Sequence, residues 1–539
     1  MNKGKKYSIL LILLLSSLIS VSQNFTRQDT LRGSITPQRA WWDLTYYHLD
    51  ISVDPEKKYL KGSNTVQYKV LDTSNEMQID LQKPLKITRI VQDNKDLDYR
   101  LDGYSYFIKL KKNQKKGQIK SLKIFYEGSP KVAIRPPWDG GLTWTRDSNG
   151  KHFIASSNQG IGASIWWPNK DHMYDEVDSM LISVNVPKDL INVSNGRLRS
   201  IEDFGETKTF NWFVSNPINN YGVNINIGDY VSFSEVYDGE KGDLDMIYYV
   251  LRDNIERART QFKDAVKMME AFEHWFGPYP FYEDSFKIVE VPYLGMEHQS
   301  SITYGNKYMK GYLGRDLSRT GWGLKFDYII IHEAGHEWFA NNITYKDIAD
   351  MWVHESFTTY SENLFLDYHY GKEAATDYVI GTRAGISNSS PMIGTYGVNK
   401  RGSDLYTKGA NLLHTLRQIA KDDEIWRMIL RGLNSEFYHQ TVDTKQIEEY
   451  ITSKIGFDLT TFFDQYLRDI RIPNLEYSIS NGILTYRWID VIDNFTMPLE
   501  IEVLGENIWI YPTTNKKSLK IKSDKIKIDR DYYVKSLKI

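Results

Sequence analysis

The run Ile331-His332-Glu333-Ala334-Gly335-His336-Glu337-Trp338-Phe339 sets two histidines four residues apart, with a glutamate directly after the first. On a helix that spacing brings both imidazoles to one face, a turn apart, where they can reach a single metal ion. Glu333 lies beside that face and can take a proton from an activated water. Two histidines leave a tetrahedral catalytic site one protein ligand short. The segment Trp352-Val353-His354-Glu355-Ser356-Phe357 offers Glu355, nineteen positions after His336. That is enough chain for one helix to end, turn and present a second antiparallel to it. His354 is the nearest rival, but it projects about 100° away around the helix. Glu362 lies two turns further along the Glu355 face; a bond to a ligand histidine and a solvated position both fit it. The ligand set His332, His336 and Glu355 suits one Zn2+ per chain.

The surrounding pattern says which elements must hold these groups. The apolar run Ile329–Ile331 predicts a buried helix, and Gly335 allows another element to pack closely on it. Helical periodicity covers 251–276, ended by Gly277-Pro278, and then 326–341, 355–370, 408–420, 424–433, 445–454 and 460–469. From Trp41 to Val236 the period is two, broken by turn pairs such as Asn195-Gly196, which reads as a large antiparallel β domain. Alternation returns after Pro473. The expected layout is α+β and multidomain: leader 1–22, β domain 23–240, catalytic domain 241–472 and a short β domain 473–539.

Composition narrows the chemistry. The 539 residues are 41% hydrophobic and 25% charged, which excludes wholesale disorder, collagen-like repeats and coiled coil. With 67 Lys+Arg against 69 Asp+Glu there is no basic excess, so no nucleic-acid partner is expected. The absence of cysteine removes disulfides, thiolate zinc sites and thiol nucleophiles; a metal must use His, Asp or Glu, and there are 11 histidines. Lys3, Lys5 and Lys6 precede an apolar stretch from Ile9 to Val21, and small residues Ser20-Val21-Ser22 precede Gln23. This is the pattern of a secretory signal peptide, too short to span a bilayer comfortably. The expected mature chain is exported, periplasmic or extracellular, without stable membrane insertion, and a monomer by default.

Taken together, these residues resemble the aminopeptidase N-type family of zinc metallopeptidases, the gluzincin aminopeptidases that include the leukotriene-epoxide hydrolases. The matching pieces are HEAGHEWF around His332, WVHESF around Glu355, YTKG beginning at Tyr406, FGPYPF at Phe276–Phe281, and Val291-Pro292-Tyr293-Leu294-Gly295-Met296-Glu297-His298. The family usually writes the end of that last segment GAMEN. The resemblance implies that Glu297 binds the substrate's free α-amino group, with Gly295 and Met296 beside the substrate backbone. His298 stands where the family has Asn, and a backbone-contact or structural role is expected of it. Ser157-Asn158-Gln159-Gly160-Ile161-Gly162-Ala163, followed by Trp166-Trp167-Pro168, implies Gln159 as a second amine ligand. Spacing cannot single out one of 37 tyrosines; the resemblance implies that Tyr406 stabilises the oxyanion.

The resemblance runs from about Trp41 to the C-terminus. It implies a β saddle, a thermolysin-like, mostly helical catalytic domain and a small C-terminal β module. The expected function is a zinc aminopeptidase acting on peptides, with Glu333 as the base. Many members carry a long helical C-terminal domain that roofs the active site; the short strand-rich end here predicts a more open cleft. A thermolysin-like endopeptidase, an epoxide hydrolase and a non-catalytic binding protein on the same fold are the rival readings.

Overall fold

In β1 (Trp42–Asp54), Trp42, Leu44, Tyr47, Leu49, Ile51 and Val53 are buried, and a bulge between Leu44 and Tyr46 shifts the alternation by one residue. The computed structural model describes residues 25–539, so the leader expected over 1–22 lies outside the described residues. Strand β1 pairs antiparallel with β2 (Tyr59–Val70) on one side. On the other it pairs with β3 (Ser179–Pro187), from Tyr46 opposite Ser179 to Ser52 opposite Asn185, and this pair is parallel. The eight-stranded sheet around β1 is therefore not wholly antiparallel. The long chain between β1 and β3 supplies the crossover a parallel pair needs. A three-stranded and a four-stranded sheet complete this region, around a core containing Trp42, Trp166, Trp167 and Trp212. Before β1, the short helix α1 (Arg27–Gly33) is closed by a Thr26–Asp29 capping box, and the buried Arg39 takes the carbonyls of Leu31, Arg32 and Ser34.

The hairpin β4 (Tyr230–Gly239) and β5 (Gly242–Leu251) crosses residue 240. Strand β5 runs parallel to β6 (Phe286–Glu290), and β6 runs parallel to β8 (Ile302–Tyr304). Strand β7 (Gly295–Met296) closes the sheet as its edge, antiparallel to β8. Leu244, Met246, Tyr248 and Val250 of β5 belong to the same core as the helices that follow. A division at 240 thus runs through a turn whose second strand packs with the catalytic region.

The helix read over 251–276 starts later, because β5 continues to Leu251, and is divided into α2 (Ile255–Gln261) and α3 (Lys263–Phe276). The chain bends at Phe262, whose buried ring packs edge-on against Tyr304 at 5.0 Å. Next come α4 (Tyr328–Gly335), α5 (Trp352–Tyr370), α6 (Lys372–Thr382), α7 (Thr407–Ala420), α8 (Asp423–Glu436) and α9 (Thr444–Ile455). Helix α6 has no counterpart in the sequence reading. The C-terminal strands form a four-stranded and a three-stranded sheet, and Leu475, Trp488 and Leu499 extend the core of the helical region. Among the described residues, no helix is long and apolar enough to cross a membrane.

Candidate metal centre and substrate cleft

Asp327 starts α4, its carboxylate accepting from the backbone N–H groups of Ile329 and Ile330. The same carboxylate takes the hydroxyl of Tyr304 at 2.7 Å and the amides of Gln261 and Asn306. The metal-binding helix is thereby anchored to β8 and α2. Gly335 allows the contact with α5, since a Cβ there would lie 2.5 Å from Ser361 Oγ.

Helix α4 stops at Gly335, short of the end expected near 341. The following turn, Glu337–Asn342, is a wide π-type turn with Phe339 at φ −128° and ψ 80°. Such irregularities recur at functional sites. Here the unwinding swings the Phe339 carbonyl to 3.1 Å from His336 Nδ1. Thr358 Oγ1 lies 3.0 Å from the same nitrogen. His332 Nδ1 donates to Glu362 Oε1 at 2.8 Å, and Tyr378 of α6 donates to the other Glu362 oxygen. Of the two roles open to Glu362, the buried bond to a ligand histidine is the one realised.

With both Nδ1 atoms engaged, both Nε2 lone pairs face Glu355. Glu355 Oε2 lies 3.9 Å from His332 Nε2 and 3.5 Å from His336 Nε2. Ligand atoms about 2.1 Å from one ion in a tetrahedron stand about 3.4 Å apart. One donor atom from each residue lies within 4.8 Å of the others, and all three residues are buried. Glu355 Oε2 has no hydrogen-bond partner, although a buried carboxylate oxygen needs one. Nitrogen and carboxylate donors of this kind fit Zn2+. Burial pulls the pKa of His332 down to about 4 and lowers that of His336, so both rings are neutral, as ligation requires.

Glu333 lies beside the ligand set against the edge strand: a Cβ on Gly295 would be 3.3 Å from Glu333 Oε1 and 2.6 Å from Ile329. Burial, then the charges of Glu297, Glu355 and Glu362, push Glu333 well above the usual carboxylate range. Opposite charge placed beside it would bring it back down. Tyr406 stands where the chain enters α7, and its hydroxyl donates to Glu355 Oε1 at 2.9 Å. Leu405 O accepts from Ser356 of α5, which fixes that entry.

Glu297 follows β7. Its carboxylate accepts from Tyr221 at 3.0 Å and its carbonyl from Asn341 at 2.9 Å. The segment after it is clamped by the β domain: Asn195 donates to Gln299 O at 2.7 Å, and the Gly196 N–H donates to Ser300 Oγ at 2.9 Å. His298 is fully buried, and desolvation pulls its pKa down to about 3. Its Nδ1 lies 3.4 Å from Thr303 Oγ1, and it is outside the metal-ligand group. His354 turns away as well, its Nε2 accepting the Tyr345 N–H at 2.9 Å. Gln159 is half-buried on the β-domain side, its Oε1 without a partner, in a cavity of about 240 Å³ shared with Tyr221. Met296 is buried in the edge strand beside Gly295. Tyr221, Asn341, Thr358 and Tyr378 went unread; each acts through a long-range contact that carries no local pattern.

Residues 260–466 match the model described as the Peptidase family M1 domain. The chain is 23% identical over 523 residues to Probable aminopeptidase 2 of Sulfurisphaera tokodaii, covering 90% of this chain and 62% of that one. It is 26% identical over 241 residues to endoplasmic reticulum aminopeptidase 1 of Mus musculus, covering 42% and 25%. The chain thus spans less than two thirds of the length of these curated relatives. Among solved structures, an M1 zinc metallopeptidase from Deinococcus radiodurans has the same fold, with a TM-score of 0.67 at 18% identity over 80% of this chain and 94% of that one. A mutant of that enzyme bound to a Tyr-Ser-Ala substrate gives 0.65, also at 18% identity, over 80% and 95%.

Proposed function

We propose that this chain, whose residues 260–466 match an M1 peptidase domain, is a zinc-dependent aminopeptidase that hydrolyses the N-terminal peptide bond of peptides. One observation carries the reading. A carboxylate held for an incoming cation, Glu297, sits in the same cleft as the buried His332–His336–Glu355 set and the unpaired Glu333. An endopeptidase needs the metal set but has no use for an ammonium receptor.

His332, His336 and Glu355 are the residues that would hold the zinc. When bound, it supplies Lewis acidity that lowers the pKa of water towards neutrality and polarises the scissile carbonyl. Glu297, with Gln159, binds the substrate ammonium and fixes the register one residue from the end. Glu333 accepts the proton from the attacking water on a carboxylate oxygen and returns it to the leaving amine. The Tyr406 hydroxyl turns from Glu355 to donate to the oxyanion, a contribution commonly worth about 3–4 kcal/mol per donor. The peptide bound to the Deinococcus relative supports peptides as substrates. The basic and apolar N-terminal pattern supports export to a periplasm or the exterior and a mature start at Gln23, which N-terminal sequencing of the exported protein checks.

Aminoacyl chromogenic amides test the activity. Those with a free amine should be cleaved and their N-acetylated counterparts spared; equal cleavage of both would make the enzyme an endopeptidase. Glu333→Ala should keep its zinc and lose turnover by orders of magnitude, and substantial residual turnover would remove Glu333 as the base.

A further inference from the structure

The cavity beside Gln159 is assembled from chain segments far apart in sequence: Arg32 from α1, Trp138 and Gln159 from β-domain loops, Tyr345 and Met351 from the catalytic region, and Arg401 from the loop before Tyr406. Tyr221 lines it too and donates to Glu297. A group entering it from a substrate whose amine rests on Glu297 is therefore attached at the amine-bearing carbon. In an aminopeptidase that group is the side chain of the first residue.

Two guanidinium groups, those of Arg32 and Arg401, line this space with Lys346, whose ammonium donates to Gln446 Oε1 at 3.1 Å. Arg32 donates to Gly160 O at 3.2 Å, and among the described residues no carboxylate stands within ion-pair distance of it. A Cβ on Gly162 would be 2.4 Å from the Asp171 carboxylate and 2.8 Å from Arg32 Nη2, so both groups reach this glycine, which stands at φ +84°. Asp171 is held by the Ser164 hydroxyl at 2.5 Å. Asp171 is the one carboxylate among the residues lining the cavity, against the three cations Arg32, Lys346 and Arg401. Arg401 is exposed, and among the described residues no carboxylate stands within ion-pair distance of it. The cavity is roomier than a glutamate side chain needs, so size alone does not select; the excess of cations over the single carboxylate does.

Building on the aminopeptidase reading, we propose that this cavity receives the first side chain and that Arg401, assisted by Arg32, selects a carboxylate there, favouring peptides that begin with Glu or Asp. The aromatic walls pack against the methylene stem while the carboxylate meets the guanidinium.

Glu and Gln amides of the same chromophore differ in charge at equal size, so the ratio of their kcat/KM values isolates the proposal. The zinc-loaded full chain should favour Glu over Gln by about tenfold at low salt, with the ratio shrinking at high ionic strength. Arg401→Ala should lower the ratio severalfold towards one, Arg401→Lys should retain most of it, and Arg32→Ala should lower it by removing a second cation from the cavity wall. A wild-type ratio of one or below overturns the proposal, as does a ratio unchanged in Arg401→Ala. So does a preference that follows a free C-terminal carboxylate, seen by comparing short peptides with their C-terminal amides. If no free-amine substrate is cleaved at all, the aminopeptidase reading fails; if Gln amides are cleaved and Glu amides are not favoured, this proposal alone fails.

Discussion

Each ligand histidine spends one ring nitrogen on the protein so that the other is free for the metal. His332 depends on Glu362, and Glu362 depends on the hydroxyl of Tyr378, all of them buried. Removing that hydroxyl leaves a carboxylate oxygen in a dry site without its donor, which disturbs the orientation and basicity of His332 rather than the reaction itself. Tyr378→Phe should therefore weaken zinc binding about 10–100-fold, measured by competition with a chelator. At saturating zinc, turnover should recover to near the parent value. An unchanged zinc affinity would reduce the Tyr378–Glu362 pair to packing. Local sequence carried the ligands themselves, because four residues of helix impose one geometry wherever they occur. It did not carry Tyr378, Thr358 or Tyr221, because their partners arrive from other elements at distances set only by packing.

Elements here are placed by contacts too close for a side chain. Gly335 brings α4 onto α5, and Gly409 brings α7 onto α5: a Cβ at 409 would meet Ser356 Oγ at 1.8 Å and its Cβ at 2.3 Å. Ser356 also holds Leu405 O, the residue before Tyr406. Gly409→Ala should push the start of α7 off α5, costing about 1–3 kcal/mol of stability by overpacking. Because Tyr406 moves with that helix start, kcat should fall while zinc content stays whole. A Gly409→Ala variant that loses stability yet keeps the parent kcat at full zinc content would separate the glycine from the tyrosine. The motif around Tyr406 was legible as a string of letters, but the reason for its glycine was not. Helix α6 and the break between α2 and α3 leave no local pattern for a related reason. Amphipathic periodicity reports a one-sided surface, whereas α6 and the Phe262 bend are fixed by the core they enter.

On the scale of the molecule, the three expected regions are not three independent bodies. The β domain grips the segment after Glu297 through Asn195 and Gly196, and the C-terminal strands grip the back of α7. Tyr533 N donates to Thr415 Oγ1 at 3.0 Å, and His414 Nε2 meets Asp531 at 3.2 Å. Arg383 donates to the carbonyls of Arg530 and Asp531, and Tyr466 donates to that of Tyr533. The apolar core runs without a break from α7 into Trp488, which is 1% exposed. A module bound in this way shares its stability with the helix that presents Tyr406. Trp488→Ala should cost about 3–5 kcal/mol and lower the melting of the catalytic region and the C-terminal strands in a single calorimetric transition. Zinc should raise the melting temperature of that shared transition, since the metal stabilises every part that unfolds with its site. A variant that melts in two steps, with only the zinc-insensitive one shifted, would show the C-terminal strands to be a separate body resting on the enzyme.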